Sequence, residues 1–96
     1  MVIGHHDPRA TGLQILDLEL LGEAASALGD AGRRVEETLA ALAAAGDEER
    51  ESRLREAARA VHHYFIQREM SGFRRHDDAV VEYRIPRAVI ARLGAT

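Results

Sequence analysis

A chain of 96 residues forms one small domain at most, and a domain of that size buries so modest a share of its surface that association with another chain is expected. It contains no Cys, which excludes disulfides, thiolate zinc sites and cysteine nucleophiles, and all 13 of its cationic side chains are Arg. The net charge of −3 divides unevenly: residues 1–65 hold 7 Arg against 12 acids, residues 66–96 hold 6 Arg against 4 acids, and neither balance is the strongly basic footprint of a nucleic-acid-binding domain.

Met1 to Arg9 has neither the basic region nor the apolar run of a signal peptide, and no stretch approaches ~18 uninterrupted apolar residues, so a soluble, cytoplasmic protein without membrane contact is expected. Residues 1–12 read as a flexible lead-in, with Thr11 as the N-cap of a first helix over residues 13–45 that Gly46 ends. Within it Leu18, Leu21, Ala25, Leu28, Gly32, Val35, Leu39 and Leu42 recur at spacings of three and four, the seam of a helix that packs lengthwise on another. A second row, Leu13, Leu16, Leu20, Ala24, Ala27 and Ala31, widens the apolar arc to about half the circumference, enough for more than one partner helix. Glu19, Glu23, Asp30, Arg33, Glu36 and Glu37 occupy the opposite, solvated side.

Two local features are ambiguous. Gly29-Asp30-Ala31-Gly32 either breaks the helix, with Asp30 capping a new one, or lies within a continuous helix whose small residues Ala25 and Gly32 admit a close neighbour; the unslipped heptad phase favours continuity. Asp17 falls inside the apolar arc, either hydrated at an exposed end or bonded to an Arg or to Tyr64.

The short Gly46-Asp47 turn predicts an antiparallel return, with a second helix over residues 47–71, Asp47 as N-cap, and Gly72 as C-cap. Leu54, Ala57, Ala58, Val61, Tyr64, Phe65 and Arg68 form its inward stripe, and Glu49–Arg53 and Glu51–Arg55 have the favourable i, i+4 order. A hairpin of these unequal helices leaves Leu13 to Leu20 overhanging. The C-terminal segment, residues 73–94, is the expected cover, with short helices near 77–83 and 86–93. The fold expected is all-α: a long antiparallel helical hairpin with one or two short C-terminal helices, forming a homodimeric four-helix bundle.

Candidate chemistry is sparse. His62 and His63 are adjacent and point about 100° apart on a helix, His76 joins Asp77 and Asp78 only through tertiary folding, and His5 and His6 stand in the lead-in, so no metal site is expected. There is no nucleophile elbow, phosphate-binding Gly-rich loop or Glu-x-x-His motif, so no cofactor, catalytic residue or enzymatic activity is expected. Val80, Arg84, Ile85, Ile90 and Leu93 approach helix-turn-helix spacing, which would give Arg74, Arg75, Arg84, Arg87 and Arg92 phosphate contacts; Arg84 stands where that turn usually has Gly.

The segments Tyr64-Phe65-Ile66-Gln67-Arg68-Glu69-Met70-Ser71-Gly72-Phe73-Arg74, Asp78-Ala79-Val80-Val81-Glu82-Tyr83-Arg84-Ile85-Pro86-Arg87 and Ala91-Arg92-Leu93-Gly94, with Ala25-Ser26-Ala27-Leu28-Gly29 and Gly32-Arg33-Arg34 earlier, resemble a family of small uncharacterised all-helical bacterial proteins. The resemblance implies a helical fold and carries over no activity, ligand or catalytic residue. It directs attention to Tyr64, Gln67, Arg68 and Glu69 as a polar junction, with Arg68 able to reach Asp17 or an acid of the third helix. The expected function is that of a small non-enzymatic interaction or regulatory protein working through oligomerisation and helix-surface contacts, with a homo-oligomer and an unknown protein as partners. The alternative is a DNA-binding regulator using the C-terminal segment.

Overall fold

A computed structural model describes residues 8–93, with side chains from Ile15 onward; His5 and His6 lie outside the described residues. Among these residues every element is helical: α1 spans Pro8–Ala44, α2 Asp47–Met70, α3 Asp77–Glu82 and α4 Arg87–Ile90. The chain is already helical at Pro8, so residues 8–12 of the expected lead-in belong to α1 and Thr11 is not its N-cap; residues 1–7 lie outside the described residues. Proline fits the first turn of a helix, where its missing N–H has no intrahelical partner to lose.

α1 runs unbroken through Gly29-Asp30-Ala31-Gly32, and Arg33 bonds Asp30 on its solvated side. At Gly32 the missing side chain makes room for a tyrosine rather than for a backbone: a Cβ there would stand 2.6 Å from the Tyr83 hydroxyl and 3.6 Å from the Tyr64 ring. The Tyr64 and Tyr83 rings meet edge-on, with centroids 5.3 Å apart, over this gap.

Gly46, in extended conformation, is the N-cap of α2, and Asp47 is its first helical residue rather than the cap. Asp47, Glu48 and Glu49 then lie in the first turn, where negative charge meets the positive end of the helix dipole. The predicted i, i+4 ion pairs are replaced. Glu51 takes both guanidinium nitrogens of Arg92, one at 2.8 Å, and Arg53 pairs with Glu56 at 3.1 Å.

α2 and α3 each end in a Schellman turn. At Gly72, with φ at +99°, the Phe73 N–H donates to the Arg68 carbonyl at 2.9 Å and the Gly72 N–H to the Glu69 carbonyl at 3.1 Å. The same pattern recurs at Arg84, where Ile85 N–H donates to the Val80 carbonyl and Arg84 holds φ at +52°. A side chain in this left-handed region costs roughly 1–2 kcal/mol, offset here by burial of Ile85 immediately after it.

These turns send α3 and α4 back along α2. Val35, Val61 and Val89, one each from α1, α2 and α4, are fully buried and mark the centre of the core, with Ala57, Ala79 and Ile85 around them. Thr38 is buried among them, its hydroxyl donating to the Arg34 carbonyl at 2.8 Å.

The C-terminal segment therefore does not cover α1 from Ile15 to Leu20, contrary to expectation; the side chain of Leu13 lies outside the described residues. Every side chain from Ile15 to Ser26 is exposed, and burial begins only at Ala27. The molecule is accordingly elongated, 68 × 23 × 20 Å, and its radius of gyration of 18.9 Å exceeds the ~12 Å of a compact domain of this length.

Replacing Gly32 by Ala sets two effects against each other. The gain in helix propensity is about 1 kcal/mol. The added methyl displaces Tyr83 from the Tyr64 edge, and the net expectation is destabilisation by about 1–2 kcal/mol in chemical denaturation. In a Tyr83→Phe background, where the hydroxyl is gone, the same substitution becomes neutral or stabilising.

Candidate functional site

The densest polar cluster lies where α2 hands over to α3. Arg68 is 5 % exposed, an unusual burial for a guanidinium. Its position on the inward stripe of α2 points it beneath the chain that leaves Gly72. There its Nε–H donates to His76 Nδ1 at 3.1 Å, and one terminal nitrogen donates to the Arg75 carbonyl at 3.0 Å and to Asp78 Oδ1 at 2.7 Å. The Phe73 ring lies 4.5 Å from the guanidinium carbon and that of Tyr64 5.8 Å. The side-chain contact that normally closes a Schellman turn is here a cation on an aromatic ring.

His76 continues the network. Because Nδ1 accepts from Arg68, the neutral ring carries its hydrogen on Nε2, which donates to Glu69 at 2.9 Å. The imidazole also stacks flat on Phe65, with centroids 4.2 Å apart and planes within 5°. His76 thus links three residues of α2 while serving as the N-cap residue of α3.

The charges are tuned accordingly. The hydrogen bond from Arg68 holds the Asp78 carboxyl below its ordinary value. Burial works against the Arg68 charge, but hydrogen bonds with Tyr64 and Asp78 outweigh it and raise the guanidinium further. Burial, followed by hydrogen bonding with Tyr64, pushes Tyr83 up to about 12.

Of the residues singled out in the sequence, this arrangement unites Tyr64, Arg68 and Glu69. Gln67 is half-buried and takes no part in these bonds. Asp17 is exposed on the uncovered part of α1, so the acid that Arg68 meets is Asp78 of α3. His76 was missed as the centre of the junction: beside Asp77 and Asp78 it reads as a surface residue, and only its place between a Gly72 stop and an acidic helix start marks it as a hinge partner.

The basic residues are dispersed. Arg74, Arg75, Arg84 and Arg87 are exposed, while Arg92 is held by Glu51. α4 is one turn, with Val89 buried and Ile90 half-buried, which leaves only Arg87 and Ala88 facing outward where a recognition helix presents three or four side chains to base edges.

Two shallow clefts lie among the described residues. One, about 340 Å³, is lined by Glu36, Leu39, Glu82, Tyr83 and Arg84; the other, about 250 Å³, by Arg34, Glu56, Arg59, Ala60 and His63. Among the described residues no group of three His, Asp or Glu side chains is placed to hold a metal. In the Arg68 network the guanidinium bonds the imidazole, the Asp78 carboxylate and the Arg75 carbonyl, the imidazole also bonds Glu69, and no buried side-chain polar atom among the described residues lacks a partner. What the arrangement does chemically is lock α3 to α2.

The chain belongs to a family of unknown function (DUF6665), whose family model matches residues 2–96. No curated protein and no solved structure matches it.

Two measurements test the junction. Arg68→Ala is expected to lose about 2–4 kcal/mol of stability, because it removes a buried side chain and strips partners from His76 and the Arg75 carbonyl, whereas Asp78→Asn, at a side chain 68 % exposed, loses far less. The second concerns alkaline pH. Tyr83 has a higher pKa folded than unfolded, so its contribution to stability is complete below about pH 10, the unfolded value. It is lost as pH rises through about 12. Tyr83→Phe should flatten that part of the pH–stability curve.

Proposed function

We propose that this member of a family of unknown function is a small non-enzymatic interaction protein of the cytoplasm, and that it works by pairing with a second copy of itself through the uncovered part of α1. The observation that carries this reading is the run Leu16, Leu18, Leu20 and Leu21, each between 50 % and 68 % exposed. Scattered exposed apolar residues need no explanation, but Leu16, Leu18, Leu20 and Leu21 share the half of the helix that α2 covers further along and make a patch of the kind that marks a contact surface.

The choice of a second copy rests on continuity. The face of α1 that α2 covers over Ala31, Val35 and Leu42 runs on through Leu28 and Ala24 to Leu20 and Leu21, where α2 has ended. What the uncovered stretch lacks is a helix in the place α2 occupies further along. The same stretch of another copy offers an apolar helix of matching length, and a two-fold contact lets each cover the other. Covering a half-exposed leucine contributes roughly 1 kcal/mol, about half the value for full burial. Over the four leucines of both copies this is roughly 8 kcal/mol before the cost of association, which places pairing in the micromolar range or weaker. Among the described residues no helix is long and apolar enough to cross a membrane, so a bilayer-spanning role for this patch has no support.

Light scattering over about 1 μM to about 1 mM should show a concentration-dependent dimer. Leu20→Glu combined with Leu21→Glu should abolish it without lowering the stability of the dilute protein, since both side chains are exposed in the single chain. A wild-type chain that stays monomeric throughout that range overturns the reading.

A further inference from the structure

The pairing face contains one residue that does not belong in an apolar interface. From Asp17 to Val35 there are 18 residues, about five turns of an α-helix, so the two side chains lie on one line along α1. Val35 is fully buried against the rest of the core, and Asp17 holds the corresponding position in the uncovered stretch, flanked by Leu16, Leu18, Leu20 and Leu21. In any contact that continues the α1–α2 packing, Asp17 is where the centre of the interface falls.

The helix offers it no relief. Thr38, the polar side chain on the covered part of the same face, is satisfied by donating to carbonyls of its own helix. An ionised carboxylate only accepts, and within a helix the backbone N–H groups are already taken. Between Ile15 and Gly32 the sequence carries Asp17, Glu19, Glu23 and Asp30 and no cation, so the same stretch of a second copy brings no counter-charge. A carboxylate in that place must keep its water or be buried unpaired.

We infer that Asp17 is the specificity-determining residue of this face: it limits self-association of α1 to a weak, reversible pairing by holding a hydrated charge at the centre of the apolar contact. The inference rests on the pairing proposed above. A charge here also disfavours wrong partners, since any apolar helix that would cover the leucines must leave room for it.

Sedimentation equilibrium of the full chain tests this with three variants. Asp17→Leu is expected to tighten the dimer at least about tenfold, Asp17→Asn to tighten it less, and Glu19→Leu, on the solvated side of the same helix, to leave it within about twofold. Dimer formation by Asp17→Leu alone, with a monomeric wild type, overturns the weak pairing of the native chain. Unchanged affinity in Asp17→Leu, or equal tightening by Glu19→Leu, overturns that role and leaves the shared face standing. Absence of association in the wild type and all three variants overturns the face itself.

Discussion

The buried guanidinium of Arg68 is the constraint on which the rest of this small structure depends. A charge at 5 % exposure must be answered on every side, and here it is answered by the segment that follows its own helix: the Arg75 carbonyl, His76, Asp78 and the Phe73 ring. Satisfying Arg68 therefore requires the chain to turn sharply at Gly72 and to start α3 directly over the end of α2. The direction of everything downstream follows from that turn. α3 and α4 run back beside α2, deliver Val89 to the core and place Arg92 on Glu51.

One consequence falls on α1. With the C-terminal segment committed to α2, α1 is exposed from Ile15 to Ser26, and its leucines from Leu16 to Leu21 stand in solvent. A second consequence lies midway along the helix, where Tyr83 reaches the surface of α1 so closely that a Cβ at position 32 would stand 2.6 Å from its hydroxyl. The same C-terminal segment thus secures the middle of α1 and exposes its beginning. Polar chemistry is concentrated at the junction and used internally, whereas the unsatisfied surface is apolar. That division is what supports the contact role proposed for α1.

Much of this architecture is legible from residue spacing. Apolar residues at three- and four-residue intervals, with Gly46 and Gly72 as punctuation, define both long helices, and the unslipped phase through Gly29 to Gly32 agrees with the continuous α1. The inward placement of Arg68 and the overhang of α1 also follow from helical arithmetic. The two Schellman turns are only half legible: Gly72 announces the first, but the second places Arg84 in a conformation that its side chain disfavours.

What sequence determined, then, is what each helix face prefers, because helical periodicity is a local property. What it left open is which faces meet. Whether Arg68 met Asp17 or an acid of α3, whether Gly32 admitted a backbone or the Tyr83 ring, and whether the leucines of α1 were covered all turn on the direction in which the chain leaves Gly72. That direction is decided by a buried charge collecting its hydrogen bonds from residues seven to ten positions away, a balance of desolvation against partner geometry that exists only once the tertiary structure has formed.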